Sequence, residues 1–327
     1  MPKIGWAGVG HIHTPAFVNE AVKRGFECAG VYDSDPGTAE KNAEKLTGQV
    51  FDLASLVANG EADAYVVTSQ TVQHVEIVSV LAPTGKPIFV EKPIGVSQEA
   101  STELHRLLTE NKNLFHTGYF QRGSAEVQTL KHLVDAGFFG QITRVRASVC
   151  HSGALGGWFD GEWGWMADTT QAGVGAFGDL GTHGLDLLLW LFGSVKAATG
   201  VLSNGTNRYG CDETGEGLLK FTNGTIGTLT AAWDDVCNPM RLQISGTEGH
   251  ATLNGSLLVA GKDGKLAAPA ELQPAVPSGF NAFLDAISGS PAQLISVSEA
   301  TQRDVVMDAI YRGAKSQTWI EIPTEWQ

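Results

Sequence analysis

The residue types best suited to handling a proton occur in two short segments. Glu91-Lys92-Pro93 directly follows the apolar run 87–90, and Asp179 and His183 lie further along the chain. A lysine at the carboxyl end of a parallel strand faces the sheet edge where ligands bind, and the proline after it favours an extended backbone. A histidine beside a carboxylate suits proton transfer, because the carboxylate tunes its pKa and orientation. These groups predict a site for proton transfer.

A helix through the second segment would place Asp179, His183 and Asp186 on one face, at positions i, i+4 and i+7. The opposite face carries an apolar stripe made of Leu185, Leu188, Leu189 and Phe192. A structural alternative fits the spacing equally well: Asp179 caps the helix, and His183 is a packed residue of its interior.

A glycine turn near the N-terminus is typical of a dinucleotide site. Gly8-Val9-Gly10 follows the strand predicted at 4–7 and precedes a helix start, where Thr14 is the expected cap and Pro15 the first helical residue. The first glycine permits the tight turn, and the second lets the backbone approach a pyrophosphate at the helix N-terminus. A tight turn of purely structural purpose is the alternative. The expected cofactor contacts are Gly8, Gly10, His11 and Ile12.

Asp33 ends the second predicted strand, where a carboxylate can accept hydrogen bonds from the adenosine ribose. A carboxylate there repels a 2′-phosphate, Asp35 adds negative charge, and no arginine is adjacent. These residues favour NAD over NADP, although Asp33-Ser34-Asp35 could also be an ordinary turn.

Strands and helices alternate over the first third of the chain. Such alternation is typical of a parallel, doubly wound sheet, so residues 1–121 are predicted to be an α/β Rossmann domain. Strands are predicted at 4–7, 26–32, 64–67, 87–90 and 114–118, and helices from 14, at 38–46, 72–81 and 97–111.

After about residue 121 the pattern changes to period-two alternation and tight turns, including Asn223-Gly224 of a predicted hairpin. Residues 122–327 are therefore predicted to be an α+β domain with an open, mostly antiparallel sheet. Its last helix is a candidate to pack back on the first domain. The predicted elements are a helix at 125–136, strands at 142–149, 218–221, 225–231, 241–245, 251–253 and 319–322, an irregular loop at 257–277, and a last helix at about 298–314 that Ser298 caps.

Composition narrows the class of protein. The chain has 327 residues, 43% of them hydrophobic and 17% charged, as in ordinary globular proteins of about two domains. A net charge of −13 argues against nucleic acid as a partner. No apolar stretch of about 18 residues is present, and the N-terminus lacks the pattern of a signal peptide. The scattered cysteines favour reduced thiols in a cytoplasmic protein; they are Cys28, Cys150, Cys211 and Cys237.

In combination, these motifs resemble the glucose-fructose oxidoreductase and inositol dehydrogenase family. Its order and spacing are matched over nearly the whole chain, by Gly8-Val9-Gly10, Gly85-Lys86-Pro87, Glu91-Lys92-Pro93, Gly137-Phe138-Phe139-Gly140-Gln141-Ile142, Asp179-Leu180-Gly181-Thr182-His183 and Gly246-Thr247-Glu248-Gly249. The sequence departs from the family pattern at one residue and at one run of three residues. His13 stands where a small residue is usual, and Ser69-Gln70-Thr71 stands where Thr-Pro-Asn is usual.

The resemblance implies a secondary-alcohol dehydrogenase or ketone reductase that acts on a sugar or cyclitol with NAD or NADP. It implies that Lys92 lies beside both the nicotinamide and the reacting oxygen, that His183 transfers the proton, and that Asp179 orients the substrate. It adds Ser69, His74 and Glu91 to the expected cofactor contacts, and Gln121 to the expected substrate contacts.

The segment from Trp158 to Trp165 is unusually rich in aromatic residues. Indole rings suit the C–H face of a sugar, so Trp165 is a further expected substrate contact; a packed loop or a subunit contact is the alternative. Because a large open sheet face usually needs covering, a homodimer or homotetramer formed through the sheet domain is expected.

Three other functions compete with the dehydrogenase. His11-x-His13, completed by His116, His151 and His183, could bind the metal of a hydrolase, but the glycine turn and the lysine motif would then be coincidences. An NAD-binding sensor would need neither Lys92 nor His183. A relative that uses NAD transiently to cleave glycosides also fits the motifs.

Overall fold

A five-stranded parallel sheet forms the first half of the protein, in a computed structural model that describes residues 2–58, 61–238 and 241–327. The strand order is β2-β1-β3-β4-β5. The chain therefore adds β2 on one side of β1 and the later strands on the other, and the switch point lies between β1 and β3. At such a switch point the carboxyl ends of the strands open a crevice for ligands. The strands are β1 (Lys3–Ala7), β2 (Glu27–Tyr32), β3 (Ala64–Val67), β4 (Ile88–Val90) and β5 (Phe115–Thr117). The predicted Rossmann fold is confirmed.

Helices accompany these strands, and local capping explains where several begin. The Asp35 carboxylate accepts the N–H of Thr38, and the Ser97 hydroxyl accepts that of Ala100. The prediction that Thr14 caps the first helix is wrong: Thr14 is its first helical residue, and its hydroxyl donates to the hydroxyl of Thr68. The helices are α1 (Thr14–Lys23), α2 (Pro36–Leu46), α3 (Leu53–Ala58), α4 (His74–Leu81) and α5 (Gln98–Glu110).

An eight-stranded mixed sheet forms the second half, in the order β12-β11-β10-β6-β9-β8-β7-β13. Among the described strands of this second sheet, only β6 and β9 pair in parallel, so the prediction of a mostly antiparallel sheet is confirmed. The strands are β6 (Ile142–Cys150), β7 (Val195–Ser203), β8 (Thr214–Phe221), β9 (Ile226–Ala232), β10 (Leu242–Gly246), β11 (His250–Asn254), β12 (Ser256–Ala260) and β13 (Ile320–Glu321).

The loop predicted at 257–277 is wrong at its start. Residues 256–260 form β12, which pairs with β11 and buries Leu257 and Ala260. The short span between the two strands hid this hairpin, because Asn254 and Ser256 pair directly across Gly255.

Long helices cover one face of the mixed sheet and link it to the first half. α8 packs on β6 and β9, whereas α10 contacts both β7 and α5. The last helix begins earlier than predicted, since Ser296 caps it and forms a capping box with Glu299. The helices are α6 (Ala125–Asp135), α7 (Thr169–Ala172), α8 (Ala176–Phe192), α9 (Phe280–Ile287) and α10 (Val297–Ser316).

The short helix α9, which the sequence patterns did not reveal, completes the core of the parallel sheet. The Phe280 ring lies 5.3 Å from that of Phe89 on β4 and 4.5 Å from that of Phe17 on α1. The division at residues 121 and 122 stays a prediction, and residues near the C-terminus contribute to the first core.

The other face of the mixed sheet is exposed at Val201, Leu218 and Ile226. Its covering by a second copy of the chain stays a prediction. Among the helices of the described residues, none is both long and apolar enough to cross a bilayer.

Candidate active site

The glycine turn lies at the switch point between β1 and β3. Gly8 has φ +81°, and a Cβ there would lie 2.2 Å from the Cβ of Ser69. Only glycine satisfies both the positive φ and this close approach. The turn therefore brings the predicted cofactor residues Gly8, Gly10 and Ser69 to one edge of the sheet, where backbone N–H groups can meet phosphates. Ile12 is partly buried against the core of the second half.

Asp33 is fixed beside this turn by backbone hydrogen bonds. Its Oδ2 accepts the N–H of Val9 at 2.7 Å, and its Oδ1 accepts the N–H of Asp35 at 2.9 Å. Burial raises the pKa of the Asp33 carboxyl. The side chain lines a cavity of about 320 Å³, and the acidic residues Asp35 and Glu162 line the same cavity. Several carboxylates therefore lie together at the end of β2, where a carboxylate can accept hydrogen bonds from an adenosine ribose.

Lys92 and Asp179 form a buried ion pair where the two halves meet. The Nζ atom lies 2.7 Å from Oδ1 of Asp179, and it also donates to the Asp179 carbonyl at 3.2 Å. The indole N–H of Trp233 donates to the other carboxylate oxygen at 3.1 Å. Burial alone would raise the pKa of Asp179, but the Lys92 ammonium lowers it. The carboxylate is therefore ionised and holds the ammonium in one position.

His183 lies next to this pair on α8, and its Nδ1 has no hydrogen-bond partner among the described residues. Its ring centroid lies 5.2 Å from that of Phe120 and 6.0 Å from that of Tyr119. Burial, and then the Lys92 charge, hold the pKa of His183 well below its usual value. The imidazole is thus neutral near pH 7 and able to accept a proton.

Asp186 lies on α8 with Asp179 and His183, as the spacing predicts, but its partners are arginines of other elements. Its carboxylate binds Arg122 and Arg303, with the Nε atoms at 2.9 and 3.0 Å. Arg122 also pairs with Glu299 of α10. This buried network anchors α8 against its neighbours rather than tuning the histidine, because a buried carboxylate needs ionic partners.

Glu91, His11 and His13 form a second polar cluster beside the glycine turn. The His13 Nδ1 lies 2.5 Å from Oε1 of the fully buried Glu91, and the His11 Nδ1 accepts the backbone N–H of His13 at 3.2 Å. Burial would raise the pKa of Glu91, but the interactions with His13, His11 and Lys92 lower it to about 2. His13 thus takes the usual small residue's place as a partner for a buried carboxylate.

The metal-binding alternative requires several donors to converge on one ion. Among the described residues, the groups of His11, His13 and Glu91 lie within 4.8 Å of one another. Their hydrogen bonds are directed at each other, which accounts for the cluster without an ion. His116 and His151, which the hydrolase hypothesis required, do not join it; the His116 Nδ1 accepts the N–H of Ile295 instead.

Trp165 contacts the glycine turn, and its contact with the sugar stays a prediction. Its indole N–H donates to the Gly10 carbonyl at 3.1 Å, and its ring lies 5.8 Å from that of His11. Lys41 on α2 donates to Glu162 in the same aromatic segment at 2.8 Å. The segment therefore covers the glycine turn, because both contacts reach across from the second half.

His74 and Gln121, the remaining predicted residues, are both buried. The His74 Nδ1 lies 2.9 Å from the Ile94 carbonyl, and burial lowers its pKa. His74 thus supports the loop that follows Lys92. Gln121 follows β5, and its Oε1 accepts from the Nε of Arg241 at 3.2 Å.

Two residues near the site, Trp233 and Arg241, were missed from the sequence, and His151 was expected only as a metal ligand. The His151 ring lies 4.7 Å from that of Trp158, and the nearby Asp179 charge raises its pKa while burial lowers it more strongly. No local motif marks these residues, since sheet pairing of the second half brings them to the site. The aspartates after Trp233 were the one available signal of a polar strand end.

Two family models match the chain. Residues 3–119 match the model described as "Oxidoreductase family, NAD-binding Rossmann fold", and residues 127–252 match the "GFO/IDH/MocA C-terminal domain". Together they cover most of the chain and both of its sheets.

Known proteins agree with this match. Levoglucosan dehydrogenase of Pseudarthrobacter phenanthrenivorans is 23% identical over 90% of this chain and 89% of its own. The scyllo-inositol 2-dehydrogenase (NAD(+)) of Bacillus subtilis is 25% identical over 75% of this chain and 71% of its own. A levoglucosan dehydrogenase solved with NADH and levoglucosan has the same fold, with a TM-score of 0.82 at 20% identity over 99% of this chain and 100% of that one. The chain is an NAD-binding dehydrogenase that belongs to the GFO/IDH/MocA family.

Proposed function

We propose that the protein transfers a hydride between the nicotinamide of NAD and a secondary alcohol of a sugar or cyclitol, or the corresponding ketone. One observation carries the proposal: a buried ammonium, held by a carboxylate, adjoins a neutral imidazole. Relatives named levoglucosan dehydrogenase and scyllo-inositol 2-dehydrogenase support a polyhydroxylated substrate. When bound, the nicotinamide supplies the hydride chemistry.

His183 is the proposed proton-transfer residue. In the oxidation direction it accepts the hydroxyl proton, and in the reduction direction it returns that proton to the oxygen. Burial supports this role, because it keeps the imidazole neutral and ready to accept a proton at pH 7. Tyr119 and Phe120 pack on the ring and limit its movement.

Lys92 is proposed to bind the reacting oxygen. A fixed ammonium stabilises negative charge as it develops there, and it can also relay the proton. The Asp179 carboxylate supports the role, because one of its oxygens binds the ammonium and the other accepts the indole N–H of Trp233, which holds the carboxylate in place. Asp179 itself is proposed to orient the substrate.

NAD is proposed as the preferred form of the cofactor. Asp33, Asp35 and Glu162 all line the cavity at the end of β2, where the adenosine ribose is expected. Carboxylates accept hydrogen bonds from ribose hydroxyls but repel a 2′-phosphate. The contacts of Gly8, Gly10, His11, Ile12, Ser69, His74 and Glu91 with the dinucleotide are part of this proposal.

A panel of sugars, cyclitols and sugar acids tests the function. The purified protein is mixed with NAD and each compound, and the absorbance of reduced nicotinamide is followed. We expect one compound class to reduce NAD with turnover that depends on Lys92 and His183. Binding of NADH without turnover on any compound would favour the sensor, and release of an aglycone would favour the glycoside-cleaving alternative.

A further inference from the structure

Arg241 carries a charge that the protein does not neutralise at the site. Its guanidinium is partly buried, donates from Nε to Gln121 at 3.2 Å, and forms no salt bridge with any described carboxylate. Burial lowers its pKa, and Glu126 is the one carboxylate whose charge opposes this effect. A partly desolvated guanidinium without an anionic partner is costly, so the residue is suited to an anion from outside the chain.

The other cations of the site have partners within the protein. Lys92 pairs with Asp179, and Arg122 pairs with both Asp186 and Glu299. Arg241 differs from all of them. An incoming anion would therefore find one unpaired positive charge there.

Contacts connect Arg241 to the reacting groups. Gln121, its hydrogen-bond partner, directly follows Phe120, whose ring packs on His183 at 5.2 Å. The positive charge of Arg241 also contributes to the low pKa of His183, which means that the two groups lie within electrostatic reach. One substrate molecule would thus place its anionic group at Arg241 and its reacting oxygen at Lys92.

The backbone around Arg241 is held by the mixed sheet. Its N–H donates to the Leu253 carbonyl at 3.0 Å, and its carbonyl accepts the N–H of Ser148 at 3.1 Å. The hydrogen bond to Gln121 limits the freedom of the guanidinium, and its planar donors match both oxygens of a carboxylate.

We propose that the substrate is a sugar acid whose carboxylate binds Arg241, with the Gln121 amide as a second contact. The inference rests on the proposed dehydrogenase function and names the substrate class of that site. A carboxylate carries one negative charge and matches one guanidinium. A phosphate group carries nearly two, whereas of the lysine and arginine side chains whose charges act on His183, Lys92 already pairs with Asp179, which leaves Arg241 alone for an anion among the described residues.

Calorimetry on the NADH-loaded protein tests the inference without relying on turnover. The probes are gluconate, galactonate, glucuronate and galacturonate, each compared with glucose, galactose and myo-inositol. We expect at least one acid to bind more tightly than every neutral compound. Arg241→Gln should weaken that acid by about 10- to 100-fold, which is the range for hydrogen bonds to a charged group, and should leave binding of the neutral compounds unchanged.

Arg106→Gln is the matched control, because Arg106 lies on the exposed side of α5 and pairs only with Glu103 and Glu110 there. It should bind the acid as the wild type does. Arg241→Lys should recover part of the affinity, since it restores the charge but not the planar donors. The unfolding temperatures of Arg241→Gln, Arg241→Lys and Arg106→Gln check that all three variants fold.

Two results would overturn the inference: no acid of the panel binds more tightly than the neutral compounds, or Arg241→Gln binds the acid normally. If an acid binds through Arg241 but never reduces NAD, the proposed function fails and the carboxylate site stands. If a neutral sugar alone is oxidised, the function stands and the carboxylate site fails.

Discussion

The Nζ atom of Lys92 lies 2.7 Å from Oδ1 of Asp179, and this ion pair joins the end of β4 in one sheet to the helix that covers the other. Both side chains are largely buried, so each would be costly alone. The pair therefore links the two halves of the protein, and it fixes the ammonium where a substrate oxygen is expected.

Lys92→Gln should lower turnover by about 100- to 10,000-fold, because the developing negative charge loses its cation. Glutamine is uncharged and one atom shorter than lysine, and the substitution leaves the cofactor turn untouched. Turnover is measured with the substrate from the panel, and NADH binding by calorimetry. NADH binding close to wild type together with lost turnover would support a role in chemistry; unchanged turnover would exclude it.

His183→Asn should abolish most proton transfer and lower turnover by about 100-fold or more, with NADH affinity retained. His250→Asn is the control, because His250 lies on β11 and contacts Ser245, away from α8. Rapid-mixing measurements at several pH values separate the proton step from cofactor release. Wild-type turnover in the His183 variant would show that another group carries the proton.

Asp33→Asn should reduce the preference for NAD over NADP. Asparagine keeps an oxygen for the Val9 N–H but removes the charge that repels a 2′-phosphate. The wild type should bind NADH at least about tenfold more tightly than NADPH, since like charges brought together cost several kcal/mol. Calorimetry on both proteins with both cofactors measures the ratio, and a wild-type preference for NADPH would contradict the role of Asp33.

Trp165→Phe should weaken NADH binding more than it raises the KM of the substrate. The indole N–H donates to the Gly10 carbonyl, and phenylalanine retains the ring but not that donor. We expect a loss of about 3- to 10-fold in NADH affinity, the usual range for one neutral hydrogen bond. A rise in KM with unchanged NADH affinity would instead return Trp165 to the sugar side of the crevice.

Stability should fall as the pH drops from about 6.5 to about 5, where unfolded histidines bind protons that the buried ones do not. Burial lowers the pKa of His116 to about 4, and acts in the same direction on His11, His74 and His183. Asp304 opposes them, because burial raises its pKa to about 7 and the folded state then binds the extra proton. The four histidines outnumber it.

His116→Asn tests this sign. It keeps an acceptor for the N–H of Ile295 and removes one titrating group. The pH dependence of the free energy of unfolding between about pH 5 and about pH 6.5 should shrink by about 1.4 kcal/mol per pH unit, the value of one proton. Urea unfolding followed by tryptophan fluorescence measures it, and an unchanged slope would mean that His116 has the same pKa in the folded and unfolded states.

The sequence predicted the fold where local signals were strong, and it singled out the residues now proposed as the reacting groups. Strand-length apolar runs located the parallel sheet, and Gly8 needed only a turn and a helix start to be interpreted. Lys92 and His183 were found because each stands in a short motif at the end or start of an element. Such signals depend on neighbours in the chain, which a sequence displays directly.

The remaining parts depend on residues far apart in the chain. His13 looked like a departure from the motif until Glu91, 78 positions away, supplied its partner. Asp186 seemed to belong with His183 by helical spacing, but Arg122 and Arg303 bind it from other elements. Arg241 does not belong to any motif in the sequence. Its lack of an ionic partner among the described residues becomes visible only in the folded structure.

The packing of α9 bears on how the protein is made. Phe280 and Phe283 complete a core whose other members, such as Trp6 and Phe89, leave the ribosome much earlier. An emerging N-terminal half would therefore expose apolar surface until residues 280–287 have been synthesised. The first core is complete only once α9 has been made, and shorter partial chains should depend on chaperones to avoid aggregation.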